Sequence, residues 1–137
     1  MNTRRIVDLI CVGVLWGLLA LLLGHRAYGV GIWTGVVCAP AIGLAIGAML
    51  QQPFEDATTG RRRVIALCSL YLGATLFAVM IGLGTILGPG AGHRHFHSAL
   101  IEPILGTWWG ITFTGFFLVL WPLAYATHWW LEWRATR

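Results

Sequence analysis

The sequence predicts an all-α integral membrane protein, with four transmembrane helices in an up-down bundle and both termini cytoplasmic. Three observations predict it: an apolar composition, four apolar runs of spanning length, and an uneven placement of arginines. Of the 137 residues, 58% are hydrophobic and 10% charged, with a mean hydropathy of +0.76, which is too apolar for a soluble domain of this size. The runs lie at about 6–24, 30–50, 64–88 and 104–127. At about 1.5 Å rise per residue, each reaches across a hydrocarbon core of about 30 Å. Unpaired backbone groups in lipid cost several kcal/mol each, so such runs must close their hydrogen bonds internally as helices. Residues 1–137 therefore read as one four-helix domain.

Every basic residue is Arg and none is Lys, which points to a GC-rich bacterial genome and so to an inner membrane. Seven arginines (4, 5, 61, 62, 63, 134 and 137) fall on one side of the four runs, and Arg26 and Arg94 on the other. Positive loops stay in the cytoplasm, so both termini are placed there. The net charge of +4 then reports topology, with no need for nucleic acid as a partner. Cys11, Cys38 and Cys68 lie within the spans at spacings that match no zinc or redox motif, and no disulfide is expected.

The first run follows Arg4 and Arg5 as a signal-peptide core would. It is long for one, and it ends in Leu22, Leu23, Gly24 and His25 with no Ala-x-Ala pattern, so it reads as a retained span. Asp8 follows Arg4 by one helical turn and is expected to pair with it at headgroup level. GHRAYG at 24–29 is short enough to make the first two helices a tight antiparallel hairpin.

The second run carries a small residue at every fourth position: Gly31, Gly35, Ala39, Gly43 and Gly47. Such a stripe lets another backbone approach closely, and in lipid helix association rests on packing. The stripe therefore serves either packing within the bundle or docking of another subunit. Shorter versions occur at Gly13 and Gly17, at Ala74, Ala78 and Gly82, and at Gly106, Gly110 and Thr114. Pro40 and Pro122 each remove a helix hydrogen bond, at the carbonyls of Val36 and Leu118, and predict mid-helix kinks.

The connection at 51–63 carries Glu55 and Asp56 and ends in three arginines, which suits anionic headgroups. The connection GPGAGHRHFHSALIEP at 88–103 ends the third run with Pro89 and three glycines, and Glu102 before Pro103 suits a helix start. The two halves share RRIVDLIC with RRRVIALC and Gly24-His25-Arg26 with Gly92-His93-Arg94, a weak internal likeness consistent with a repeated hairpin. Trp33, Trp108 and Trp109 are expected at the periplasmic boundary, and Trp129, Trp130 and Trp133 at the cytoplasmic one, as interface anchors.

The chemistry is sparse. No Asp, Glu, Arg or His falls in the centre of a predicted span, which disfavours ion-coupled transport and proton relays. Haem within this chain alone is disfavoured too, because His128 is placed at the opposite side from His25, His93, His95 and His97. In an extended segment His93, His95 and His97 project to one side and, with Glu102, make a candidate zinc or copper site. No nucleophile with a base, no paired carboxylates and no phosphate-cradling loop is present, so no enzymatic activity is expected. The opening RIVDLICVG resembles, over about a dozen residues, the start of the small four-helix membrane subunit of tripartite tricarboxylate transporters. The His-rich loop and Trp-rich tail depart from that family, and nothing is carried over from it.

The expectation is a multi-pass, non-catalytic accessory or scaffold subunit of a larger inner-membrane complex, respiratory, photosynthetic or transport. Its partners would be lipid and other integral membrane subunits or further copies of itself. Two alternatives stand beside it: a small homo-oligomeric channel or transporter lined at Pro40 and Pro122, and periplasmic metal handling by the histidine loop.

Overall fold

The computed structural model of the chain describes residues 3–28, 32–87 and 96–137, and only the backbone at 23–28, 32–37 and 96–97. The described residues form helices α1 (Thr3–Tyr28), α2 (Ile32–Glu55), α3 (Thr59–Leu87), α4 (Phe96–Phe113) and α5 (Phe117–Ala135). Among them, α3 and the Thr3–Leu22 part of α1 are long and apolar enough to cross a membrane. The α4–α5 pair adds a third span if the two are taken together.

The chain is a membrane protein by the placement of its side chains as well as by composition. Leu15, Leu22, Leu87, Phe113 and Leu118 are exposed, while Asp8, Gln51, Ser69 and His128 are buried. In water an apolar exterior of that extent would drive aggregation; in lipid it is simply the solvated surface.

α1 and α2 pack backbone to backbone. A Cβ added at Gly43 would lie 2.5 Å from the Cα of Gly13, and one at Gly13 would lie 2.6 Å from the carbonyl oxygen of Ala39. A Cβ at Gly47 would collide with the Leu9 side chain. These glycines allow the helices to touch where any side chain would hold them apart. α3 and α4 repeat the device: a Cβ at Gly82 would sit 2.6 Å from the Ala99 carbonyl. Pro103 has no amide to offer that carbonyl from one turn on, so it is left free to meet Gly82.

Two sequence expectations are corrected here. α4 does not start at Glu102 and Pro103; it is already helical at Phe96, and Pro103 lies inside it. Local start signals were outweighed by packing against α3. The run at 104–127 is not one helix kinked at Pro122. It breaks earlier, at Gly115, whose φ of +78° only glycine adopts without strain, and α4 and α5 meet there at 97°. The Thr114 hydroxyl bonds back to the Gly110 carbonyl, which also accepts from the Thr114 amide. α2 runs through Pro40 as one helix.

After the break α5 crosses the end of the bundle where α1 and α3 start and α2 ends. Trp121 Nε1 donates to the Arg63 carbonyl at 3.0 Å, Gln51 Nε2 to the His128 carbonyl at 3.1 Å, and Arg134 to Asp8 at 3.0 Å. Both ends of the described chain therefore meet at one end of the bundle. At about 100° per residue, Leu118, Val119, Leu123, Trp129, Trp130 and Trp133 share the exposed face of α5, while Leu120, Ala124, His128 and Leu131 are buried.

Candidate functional site

The polar side chains that α5 carries point inward. Arg62, in the first turn of α3, makes a two-pronged pair with Glu132, at 2.9 Å from Nη1 and 2.8 Å from Nη2. The same guanidinium donates to the carbonyls of Ala57 at 3.0 Å and Glu55 at 2.9 Å. It thus satisfies carbonyls at the C-terminal end of α2, where a cation is favoured, and ties α2, α3 and α5 together. It also lies 5.1 Å from the centre of the Phe54 ring, within range for a cation–π contact. Asp8, placed one turn from Arg4 and expected to pair with it, instead pairs with Arg134. Arg5 pairs with Glu55 at 2.8 Å.

Beneath these pairs lie Phe54, fully buried, Gln51, 1% exposed, and His128, 5% exposed. Gln51 Nε2 spends both its hydrogens, one on Glu55 Oε1 at 3.0 Å and one on the His128 carbonyl. That fixes which end of the amide is oxygen. Gln51 Oε1 therefore faces His128 Nδ1 at 2.8 Å as an acceptor, and Nδ1 must carry the proton. In the neutral ring Nε2 is then a hydrogen-bond acceptor, and it has no partner among the described residues. Phe54 stacks on the imidazole with ring centres 4.9 Å apart.

His128 lines a cavity of about 390 Å³ between the helices. Its wall is mostly glycine and aliphatic side chains, with Gly13, Gly43 and Gly47 from α1 and α2, Gly73 from α3, and Gly106 and Gly110 from α4. The other polar side chains on the wall are Trp16, Ser69, Thr107, Thr114 and Thr127. Each has its donor committed: Ser69 to the Ala66 carbonyl, Thr107 to that of Pro103, Thr114 to that of Gly110, Thr127 to that of Leu123. The Trp16 indole N–H points to Thr127 Oγ1 at 3.3 Å.

Of the glycine stripe, Ala39, Gly43 and Gly47 turn toward α1, Gly35 lies on α2, and Gly31 lies outside the described residues. Of the metal candidates, His93 and His95 lie outside the described residues, the His97 side chain is not described, and Glu102 is exposed on α4. Among the described residues no three His, Cys, Asp or Glu side chains gather to hold a metal. The Trp33 side chain is not described. The Trp108 indole donates to Thr75, midway along α3, at 2.9 Å, and Trp109 stacks on Phe113. Neither Pro40 nor Pro122 lines the cavity. Sequence reasoning missed Gln51, Phe54 and Arg62 as individuals. A glutamine pair closing an apolar run was the one local signal, and its partner lies 77 residues away.

Comparison with protein-family models, with curated proteins and with solved structures finds no match to this chain.

Proposed function

We propose that the chain is a non-catalytic accessory or scaffold subunit of a larger bacterial inner-membrane complex, multi-pass, with other integral membrane subunits and lipid as its partners. In this reading α1 to α4 each cross the bilayer, α5 lies along the cytoplasmic boundary, and both termini are cytoplasmic. Seven of nine arginines gathered on that side support the orientation. α4 has 18 residues, about 27 Å at helical rise, which is close to the hydrocarbon thickness.

The observation that carries the reading is the reversed polarity of α5. A helix lying between a bundle and water would turn His128, Glu132 and Arg134 outward and its leucines inward. α5 does the opposite, exposing Leu118, Leu123, Trp129, Trp130 and Trp133. Such a face belongs against lipid or protein. The small-residue surfaces at Gly13, Gly43, Gly47 and Gly82 are occupied within the chain, and the exposed face of α5 is the surface assigned to a partner in this reading.

Mild-detergent extraction from native membranes followed by native electrophoresis tests this. The expected result is migration in an assembly heavier than the chain, lost when Trp129, Trp130 and Trp133 are changed to Ala together, with helix content kept. A partner-free monomer that performs an activity by itself would overturn it. Cysteine labelling from each side of the membrane at Thr58 and Thr136 checks the orientation. Both should react from the cytoplasm.

A further inference from the structure

We propose that the cavity between the helices binds one amphiphile, an apolar tail ending in a hydroxyl group, with the hydroxyl donating to His128 Nε2. Long-chain alcohols and reduced quinones share that chemistry. The site goes beyond the accessory-subunit reading and does not depend on it.

Size, wall chemistry and the acceptors left on the wall, His128 Nε2 foremost, lead here. At about 390 Å³ the cavity falls among small-ligand pockets and is well over the ~150 Å³ apolar cavity that admits benzene. Water would find little to hold it, because the wall donors of Trp16, Ser69, Thr107, Thr114 and Thr127 are already spent. A buried water needs two to four polar partners. The groups left over on the wall are acceptors: the hydroxyl oxygens of Ser69, Thr107 and Thr114 beyond the bonds they donate, and His128 Nε2, held as an acceptor by the Gln51 clamp on Nδ1 on a residue that is 5% exposed and lines the cavity. A buried acceptor selects a ligand that brings a donor. A pure hydrocarbon would leave it unpaired, and a carbonyl head would meet it lone pair to lone pair.

The test uses the full chain in detergent with four probes: decylquinol, farnesol, oxidised decylquinone and decane. Calorimetric titration should give saturable binding of at least one hydroxyl probe, about tenfold tighter than quinone or decane, the equivalent of one buried hydrogen bond. Binding of both identifies the hydroxyl alone as the recognised group; binding of decylquinol only identifies a quinol. Gly110→Leu should abolish binding with helix content unchanged, because Gly110 lines the cavity and a Cβ there meets nothing within 4 Å. His128→Phe should remove the preference for hydroxyl probes. Equal affinity for all four probes, no saturable hydroxyl binding, or full binding by Gly110→Leu would each overturn the proposal. The quinone control and Gly110→Leu decide it even where His128→Phe does not fold.

Discussion

Gln51 and His128 hold each other at two points. The glutamine amide accepts from the imidazole Nδ1 at 2.8 Å and donates to the histidine's own carbonyl at 3.1 Å. One residue closes α2 and the other sits midway along α5, so this clamp sets how α5 lies across the bundle. It also settles the imidazole tautomer, since the amide has no hydrogen left to give.

Gln51→Leu should therefore do more than delete a contact. It leaves the Nδ1 proton buried without a partner and takes the second donor from the His128 carbonyl, at a cost of about 1–3 kcal/mol. Denaturant titration in detergent measures the loss. Nitrogen NMR of the ring should show the Nδ1-protonated form in the native chain and a mixture of tautomers in the variant.

The three arginines that start α3 should not be equivalent. Arg61 and Arg63 are exposed, whereas Arg62 makes four hydrogen bonds to two elements. Arg62→Ala should cost about 2 kcal/mol, discounted for partial exposure of the pair, while Arg61→Ala should stay within about 0.5 kcal/mol. Thermal unfolding of the two variants side by side checks the ranking.

The glycines divide by their surroundings. Gly43→Leu would drive a side chain into the Gly13 backbone and should prevent α1 and α2 from packing, seen as loss of folded protein on extraction. Gly110→Ala enters open space and should stabilise by up to about 1 kcal/mol through helix propensity.

Gly115→Ala forces a side chain into a left-handed backbone and should cost about 1 kcal/mol or more. Its second effect is geometric. Spin labels at Leu105 and Trp129 should report a broader distance distribution across the α4–α5 corner than in the native chain, and an unchanged distribution would mean that the corner is held by packing alone.

The helical, membrane-embedded character of the chain was legible in its composition and run lengths; of the small residues singled out, Gly13, Gly43, Gly47 and Gly82 make close helix contacts, whereas Gly110 faces open space. The corner at Gly115 was not, because Thr114-Gly115-Phe116 has the hydropathy of a span, and glycine within membrane helices is common. Pro122 is the stronger local breaker, yet α5 runs through it. Asp8 was legible as a paired carboxylate but with the wrong arginine: Arg4 is its neighbour along the helix, and Arg134 comes to it only when α5 folds back across the bundle.

The sequence by itself determined the solvent of this protein, because hydropathy adds residue by residue and needs no partner. Tertiary structure decided which polar groups meet: Arg62 with Glu132, Gln51 with His128, and the His128 ring at the edge of a glycine-walled cavity. Those pairings depend on which helix ends fold together, and one left-handed glycine, by sending α5 across the bundle instead of onward, is what brings them together.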